Sequence, residues 1–243
     1  RMPEYYLTDC EYEILKANKD KLLDYFKNSG GKFELVELGA GDGVKTELLL
    51  KHFAESEVDF SYIPVDISWH VLRQLKSRLN VRIPDLEVMP LNNEYQQALQ
   101  KLNSRSATRK VLLFLGANIG NFNFEEAISF VQDLKKNLSP HDILVIGFDM
   151  KKDPRMIRRA YDDPHGITSR FNLNILSRLN RELGADFNIE NFSHYPYYNP
   201  DTGTAKSFLV SRKDQKVHFQ TLQKTYHFIE WEVIHTEVSQ KYD

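Results

Sequence analysis

The sequence predicts an α/β fold: a doubly wound, mostly parallel sheet followed by a second α+β unit. Three observations carry this. Strand-like apolar runs alternate with helical patterns as far as Phe148, the rhythm of a sheet covered by crossover helices. The run Lys110 to Leu115 is almost wholly apolar, as a strand buried on both faces of a parallel sheet must be. The first strand opens directly into a glycine turn, Gly39, Gly41 and Gly43, and a helix follows.

Taken in order, Thr8 with Glu11 reads as a capping box, opening a helix to about Asn28 with Tyr12, Leu15, Leu22 and Phe26 at helical spacing. Ser29 to Gly31 stops it. Phe33 to Leu38 is the first strand, and the helix after the glycine turn ends near Phe53. Val58 to Val65 is the second strand, closed by Asp66, and Ser68 caps a helix through Leu79. Leu86 to Leu91 is the third strand, and a helix runs from Tyr95 to about Leu102. After the fourth strand comes Gly116 to Asn121, then helix Glu125 to Leu138 and strand Ile143 to Phe148. Past Asp149 the rhythm changes. Pro154 suits the first turn of a helix to Tyr161. A second helix from Ile167 presents Phe171, Ile175, Leu179 and Leu183, and stops at Gly184. Beyond Phe192 the pattern is antiparallel, with hairpin turns at Asn199 to Gly203 and Lys213 to Gln215. We therefore expect one domain over residues 1–151 and a helix-plus-antiparallel-strand domain over 152–243.

The glycine turn is the strongest chemical signal. Glycines there admit positive φ and let a ligand approach the backbone, while the next helix aims free N–H groups at it. A dinucleotide fingerprint requires a third glycine at Val44. The form present, acidic-x-G-x-G-x-G with Glu37 at the strand end, suits S-adenosylmethionine (SAM) better than a pyrophosphate. Asp66 falls where nucleotide folds place the carboxylate that holds ribose hydroxyls. A surface aspartate and a ligand-free turn are the plain alternatives.

The composition sets bounds. With 243 residues, 41% of them hydrophobic, the chain can bury a substantial core. A net charge of −2 offers no basic footprint for nucleic acid. Cys10 stands alone, so no internal disulfide forms, and the eight histidines lack metal-ligand spacing. His218 and His227 alternate with apolar neighbours as sheet-surface residues do. No apolar run reaches membrane-spanning length. The start at Arg1 leads us to expect a trimmed N-terminus. The expectation is a cytoplasmic monomer with a small-molecule substrate, and neither nucleic acid nor membrane as partner.

Several longer stretches carry a resemblance. They are Met2-Pro-Glu-Tyr-Tyr-Leu-Thr8, Val36-Glu-Leu-Gly-Ala-Gly41 with Lys45 and Thr46, Phe114-Leu-Gly116 with Ile119-Gly-Asn121, and Ala160-Tyr-Asp-Asp163. To these are added Phe171, Asn172 and Asn174, then Leu179 through Phe187, and Thr236-Glu-Val-Ser239. Along nearly its whole length the chain resembles the SAM-dependent histidine Nα-methyltransferases of ergothioneine biosynthesis, whose relatives methylate other amino-acid amines. The resemblance implies a Rossmann-like methyltransferase sheet with SAM as cofactor. It implies cofactor contacts at Gly39, Gly41, Lys45 and Gly116, ribose contacts at Asp66, and adenine-side contacts at Glu94 and Tyr95. It also implies that Asn121 and Tyr161 grip the substrate's α-carboxylate end, and that Tyr5, Glu237 and Ser239 grip the imidazole. No general base is assigned.

The chain departs from the family in places. Glu94 replaces the usual aspartate, and the turn reads Gly-Asp-Gly-Val where much of the family has Gly-Thr-Ser-Glu. Ser207 stands where a larger apolar residue usually lines the side-chain pocket. The family also begins earlier and continues past Tyr242 into a last helix and strands. The implied reaction is SAM-dependent methylation of the α-amino group of L-histidine. The alternatives are methylation of another amino acid or small amine, or a cofactor-binding relative without catalysis. An NAD-dependent oxidoreductase fits least, given Val44.

Overall fold

The computed structural model of the chain describes residues 4–27, 31–105 and 107–243. These fall into two compact units, Leu7–Phe148 and Asp149–Asp243, the latter joined by residues 4–6. The sequence places that N-terminal stretch with the first domain. It clusters instead with the second unit, where the Tyr6 hydroxyl donates to Asp149 Oδ2 at 2.8 Å.

The unit Leu7–Phe148 is built on strands β1 (Phe33–Leu38), β2 (Phe60–Asp66), β3 (Glu87–Val88), β4 (Leu91–Asn92), β5 (Arg109–Phe114) and β6 (Ile143–Ile146). Their order is β3-β2-β1-β5-β6, with β4 also on β2, and every pairing is parallel. The helices are α1 (Leu7–Lys27), α2 (Val44–Glu55), α3 (Trp69–Arg82), α4 (Tyr95–Arg105) and α5 (Phe124–Lys136). β1 is buried at every residue and β5 at all but its first, so the two central strands lack a polar face. Phe26, Phe33, Phe53 and Phe60 pack edge-on or stacked at 5.8–6.1 Å between ring centres beneath them. Burying each such ring contributes about 1.5–3 kcal/mol. The strand order reverses between β1 and β5, and ligands on sheets of this type bind beyond the carboxyl ends of the strands flanking that switch. Those ends are Gly39 and Gly116. Among the described residues no helix is long and apolar enough to cross a membrane.

Two local readings differ here. The expected strand Leu86 to Leu91 is two short strands, because Pro90 between them has no N–H to give the ladder. Thr8 and Glu11 make no capping box: the helix already begins at Leu7, and the Glu11 carboxylate is used elsewhere. A capping box does form at α5, where the Asn123 side chain and Glu126 satisfy each other's backbone N–H groups.

The unit Asp149–Asp243 holds helices α6 (Pro154–Tyr161) and α7 (Ile167–Leu183), a three-stranded antiparallel sheet and a two-stranded one. The first sheet is β11 (Val233–Gln240), β8 (Thr204–Ser211) and β7 (Phe192–Asn199), with β8 central. The second pairs β9 (Gln215–Phe219) with β10 (Lys224–Phe228). Asp153 and Pro154 start α6, and Gly184 ends α7 in the left-handed conformation, as expected. The buried face of α7 is centred on Asn172 and Leu176, and Phe171 is 70% exposed. The expected row of residues four apart drifts by about 40° per step around a helix of 3.6 residues per turn, so it cannot stay on one face. The turn at Asn199–Gly203 joins β7 to β8 as a hairpin. Lys213 to Gln215 is a turn but no hairpin. β8 already has β7 and β11 on its two edges, so β9 has no edge left there and pairs with β10 instead. His218 and His227 are exposed on this small sheet.

Candidate functional site

In the Leu7–Phe148 unit the predicted cofactor residues gather at the ends of β1, β2 and β5. Gly39 and Ala40 give their N–H groups to the Val65 carbonyl at 2.9 and 3.0 Å, which pins the start of the turn. Gly39, Gly41 and Gly43 all have positive φ, at 74°, 53° and 63°. Gly39 also lacks room for a side chain. A Cβ there would lie 2.8 Å from Tyr95 Oη and 3.2 Å from Asn118 Nδ2. The phenol of Tyr95 and the amide of Asn118 therefore look onto the same backbone. Burial raises the Tyr95 pKa, helped by the charge of Asp66, so it stays a neutral donor.

Asp66 divides its carboxylate. One oxygen accepts from Gly41 N at 3.1 Å, the other from Ser68 N at 2.8 Å. An ionised carboxylate has about four lone-pair positions, so each oxygen keeps one for a diol. Lys45 is ion-paired to Glu11, whose other oxygen takes the Gly116 N–H at 2.6 Å. Glu11 thus ties Lys45 to the end of β5, and nothing in its helical sequence context singles it out for this. Glu94 is exposed, its carbonyl accepting the Ala98 N–H at 2.9 Å. Asn121 closes the short 3-10 turn Asn118–Asn121 and is exposed.

Glu37, the acidic residue of the glycine motif, does not reach the turn. It is buried beneath it, accepting from Thr46 Oγ1 at 2.5 Å and from the Tyr62 hydroxyl. Burial lifts its pKa to about 7, against those two hydrogen bonds and the charge of Lys45. Its work is to fasten β1, β2 and the first turn of α2 under the glycines.

In the other unit Tyr161, Glu237 and Ser239 come together, around a residue the sequence reading passed over. Lys241 follows β11, so Glu237, Ser239 and Lys241 share one face by strand alternation. The Lys241 side chain is 0% exposed and pairs with Asp149 Oδ2 at 2.9 Å. Its ammonium also donates to Tyr161 Oη at 2.7 Å and Ser239 Oγ at 2.8 Å. Burial lowers its pKa, opposed by Asp149 and Glu237. The signal available in the sequence was the period of two carried one step past Ser239.

Burial raises the Tyr161 pKa, with Ser239 acting the other way and Glu237 and Asp149 adding to the rise. Glu237 lies opposite Ser207 in the β8–β11 pairing, just past a bulge at Thr236. Burial raises its pKa against Ser207, Lys241 and Asn172. The Ser207 hydroxyl reaches Glu237 at 3.4 Å, and Thr236 Oγ1 donates to the buried Asn172 at 2.6 Å. Tyr5 belongs to the same unit and is 38% exposed, whereas Asn121 belongs to the Leu7–Phe148 unit.

The whole chain, residues 1–243, matches the family described as histidine-specific methyltransferase, SAM-dependent. The chain belongs to this family. It is 34% identical over 242 residues to a histidine N-alpha-methyltransferase of Mycolicibacterium smegmatis, covering 100% of this chain and 74% of that protein. A histidine N-alpha-methyltransferase of Mycobacterium tuberculosis is 32% identical over the same shares. Ergothioneine biosynthesis protein 1 of Schizosaccharomyces pombe is 30% identical over 224 residues, which are 89% of this chain and 29% of that protein. A histidine-specific methyltransferase of this family uses SAM, and the glycine turn fits it: a backbone free of side chains, a diol acceptor at Asp66 and a cation at Lys45.

One consequence is directly testable. Gly39→Ala puts a side chain into the left-handed region, at about 1–2 kcal/mol, and sets a methyl against the Tyr95 hydroxyl. We expect S-adenosylhomocysteine to bind at least about tenfold more weakly to this variant, measured by calorimetric titration. Wild-type affinity would mean the ligand does not use this turn.

Proposed function

We propose that this chain transfers a methyl group from SAM to the α-amino nitrogen of L-histidine. The observation that carries the reading is Glu237. It is a half-buried carboxylate on the face it shares with Ser239, in a chain one-third identical along its length to histidine N-alpha-methyltransferases. SAM, when bound, supplies a methyl group on a sulfonium, already a strong electrophile. The remaining work is binding and orientation, which supply much of the acceleration of a two-reactant step.

In this reading Gly39, Gly41, Gly116 and Lys45 hold the methionine part of the cofactor. Asp66 accepts from the ribose hydroxyls, and Tyr95 with the backbone of Glu94 borders the adenine. Asn121 and Tyr161 donate to the substrate's α-carboxylate. Glu237 accepts the imidazole N–H, with Ser239 and Tyr5 completing that subsite. The amine must be uncharged to attack, so its ammonium form gives up a proton beforehand. As the C–N bond forms, the C–S bond breaks and the sulfonium becomes a neutral thioether. The secondary ammonium that results then loses a proton.

A site that pairs a ligand N–H rejects analogues lacking it far more strongly than an apolar pocket rejects a missing methylene. Histidine should therefore be methylated in preference to leucine. Ser207 favours a second reading, in which a larger donor-bearing side chain such as that of tryptophan is partly accepted. It is fully buried beside Glu237, at a position where the family resemblance implies a larger apolar residue.

Methyl transfer to histidine, tryptophan and leucine, by wild type and by Glu237→Ala, tests both readings. Glu237→Ala should weaken histidine binding by about tenfold or more, on the scale of a lost charged hydrogen bond, with cofactor binding unchanged. Equal rates on histidine for both proteins would place the imidazole elsewhere. Tryptophan as the better substrate of wild type would favour the second reading.

A further inference from the structure

The buried ammonium of Lys241 is surrounded by three oxygens: Tyr161 Oη at 2.7 Å, Ser239 Oγ at 2.8 Å and Asp149 Oδ2 at 2.9 Å. It also stands 5.0 Å from the centre of the Tyr161 ring. An ammonium has three N–H donors and no acceptor, so three oxygens use all of them. Tyr161 Oη must therefore receive a hydrogen bond from Lys241 and cannot give its own proton to it. Ser239 Oγ lies beside the same phenol and is itself held by the Lys241 ammonium. The proton of this buried phenol is thereby left for an acceptor other than Lys241.

We propose that Lys241 is a positioning residue of the substrate site, one that fixes Tyr161 as a donor aimed at the α-carboxylate of the amino acid. The inference rests on the function proposed above, and assigns to Lys241 what a phenol alone lacks. An unsupported tyrosine hydroxyl accepts as readily as it donates, and half of its orientations would face a carboxylate with a lone pair. The Lys241 ammonium removes that half. Asp149 in turn keeps the lysine charged and has further partners of its own, the Tyr6 hydroxyl and Lys152. Those partners let Lys241 be replaced without leaving Asp149 alone.

The test is a double-mutant cycle on histidine affinity, measured calorimetrically with S-adenosylhomocysteine present. Lys241→Met and Tyr161→Phe should each weaken histidine by about tenfold, and the double variant no more than either single one. Lys241→Gln, whose amide still donates, should recover part of the loss. The Michaelis constant should rise more than kcat falls, because the carboxylate is held alike in ground and transition states. Cofactor affinity should stay at the wild-type value.

Losses that multiply in the double variant, or an unchanged histidine affinity in Lys241→Met, would overturn the role of Lys241. Wild-type protein that bound no amino acid with a free α-carboxylate would overturn the functional reading itself, a different outcome. Should Lys241→Met fail to fold, the pair Asp149→Asn with Lys241→Met, which removes both buried charges together, replaces Lys241→Met as one arm of the cycle against Tyr161→Phe, with the same expectations.

Discussion

Glu37→Gln should flatten the pH dependence of stability between pH 5 and 8. The wild-type carboxyl has its pKa raised from 4.5 to about 7 by burial. In that interval the folded chain therefore holds a proton the unfolded chain has released. A raised folded pKa contributes stability that is complete below about pH 4.5 and is lost as the pH climbs through about 7. The size follows from about 1.4 kcal/mol per unit of pKa, giving about 3 kcal/mol in all. Glutamine has no proton to lose. Its carbonyl can still accept from Thr46, and the Tyr62 hydroxyl can turn to accept from its amide. Glu237 also has a raised pKa and adds to the same slope, but it is present in both proteins and cancels in the difference. Denaturant unfolding at several pH values is the measurement. Wild type should lose stability relative to the variant as the pH rises, and parallel curves would mean that Glu37 is ionised in the fold throughout.

Asp66→Ala should cost about 1.5–3 kcal/mol of cofactor affinity, the range for hydrogen bonds to a charged group. Two effects combine. The ribose loses its acceptor, and the Gly41 and Ser68 N–H groups lose the carboxylate that holds the turn against the end of β2. Asp66→Asn separates them, since the amide oxygen still serves one of those N–H groups. It should fall between wild type and alanine. Calorimetric titration with S-adenosylhomocysteine gives the comparison, and NAD should show no binding to any of the three. An alanine variant with wild-type affinity would remove Asp66 from the cofactor site.

The parallel unit was legible because its signals are local. β1 and β5 are apolar throughout, glycine turns need specific residues, and Ser68, Pro154 and Gly184 mark helix ends by side-chain chemistry that acts within one turn. Where local signals competed, the reading slipped. The capping box read at Thr8 lost Glu11 to Lys45 and Gly116 N, partners 34 and 105 residues away. Nothing near Glu11 in the chain announces them. Phe171 was placed on one face with Ile175, Leu179 and Leu183 from a spacing that a helix cannot keep on one face.

The site divides in the same way. Gly39 and Asp66 were readable as parts of a nucleotide-type turn, since strand, turn and carboxylate follow one another in the chain. The substrate residues were legible only through family resemblance, for no spacing joins Tyr161 to Ser239. The sequence by itself determined the alternation of elements, the glycine turn and the face shared by Glu237 and Ser239, because backbone sterics and side-chain period act over a few residues. Tertiary structure alone decided that Glu37 is buried under the turn and that Lys241 is enclosed by Tyr161, Ser239 and Asp149. Burial and charge pairing depend on which distant segments close around a group, and that is settled only when the chain is folded.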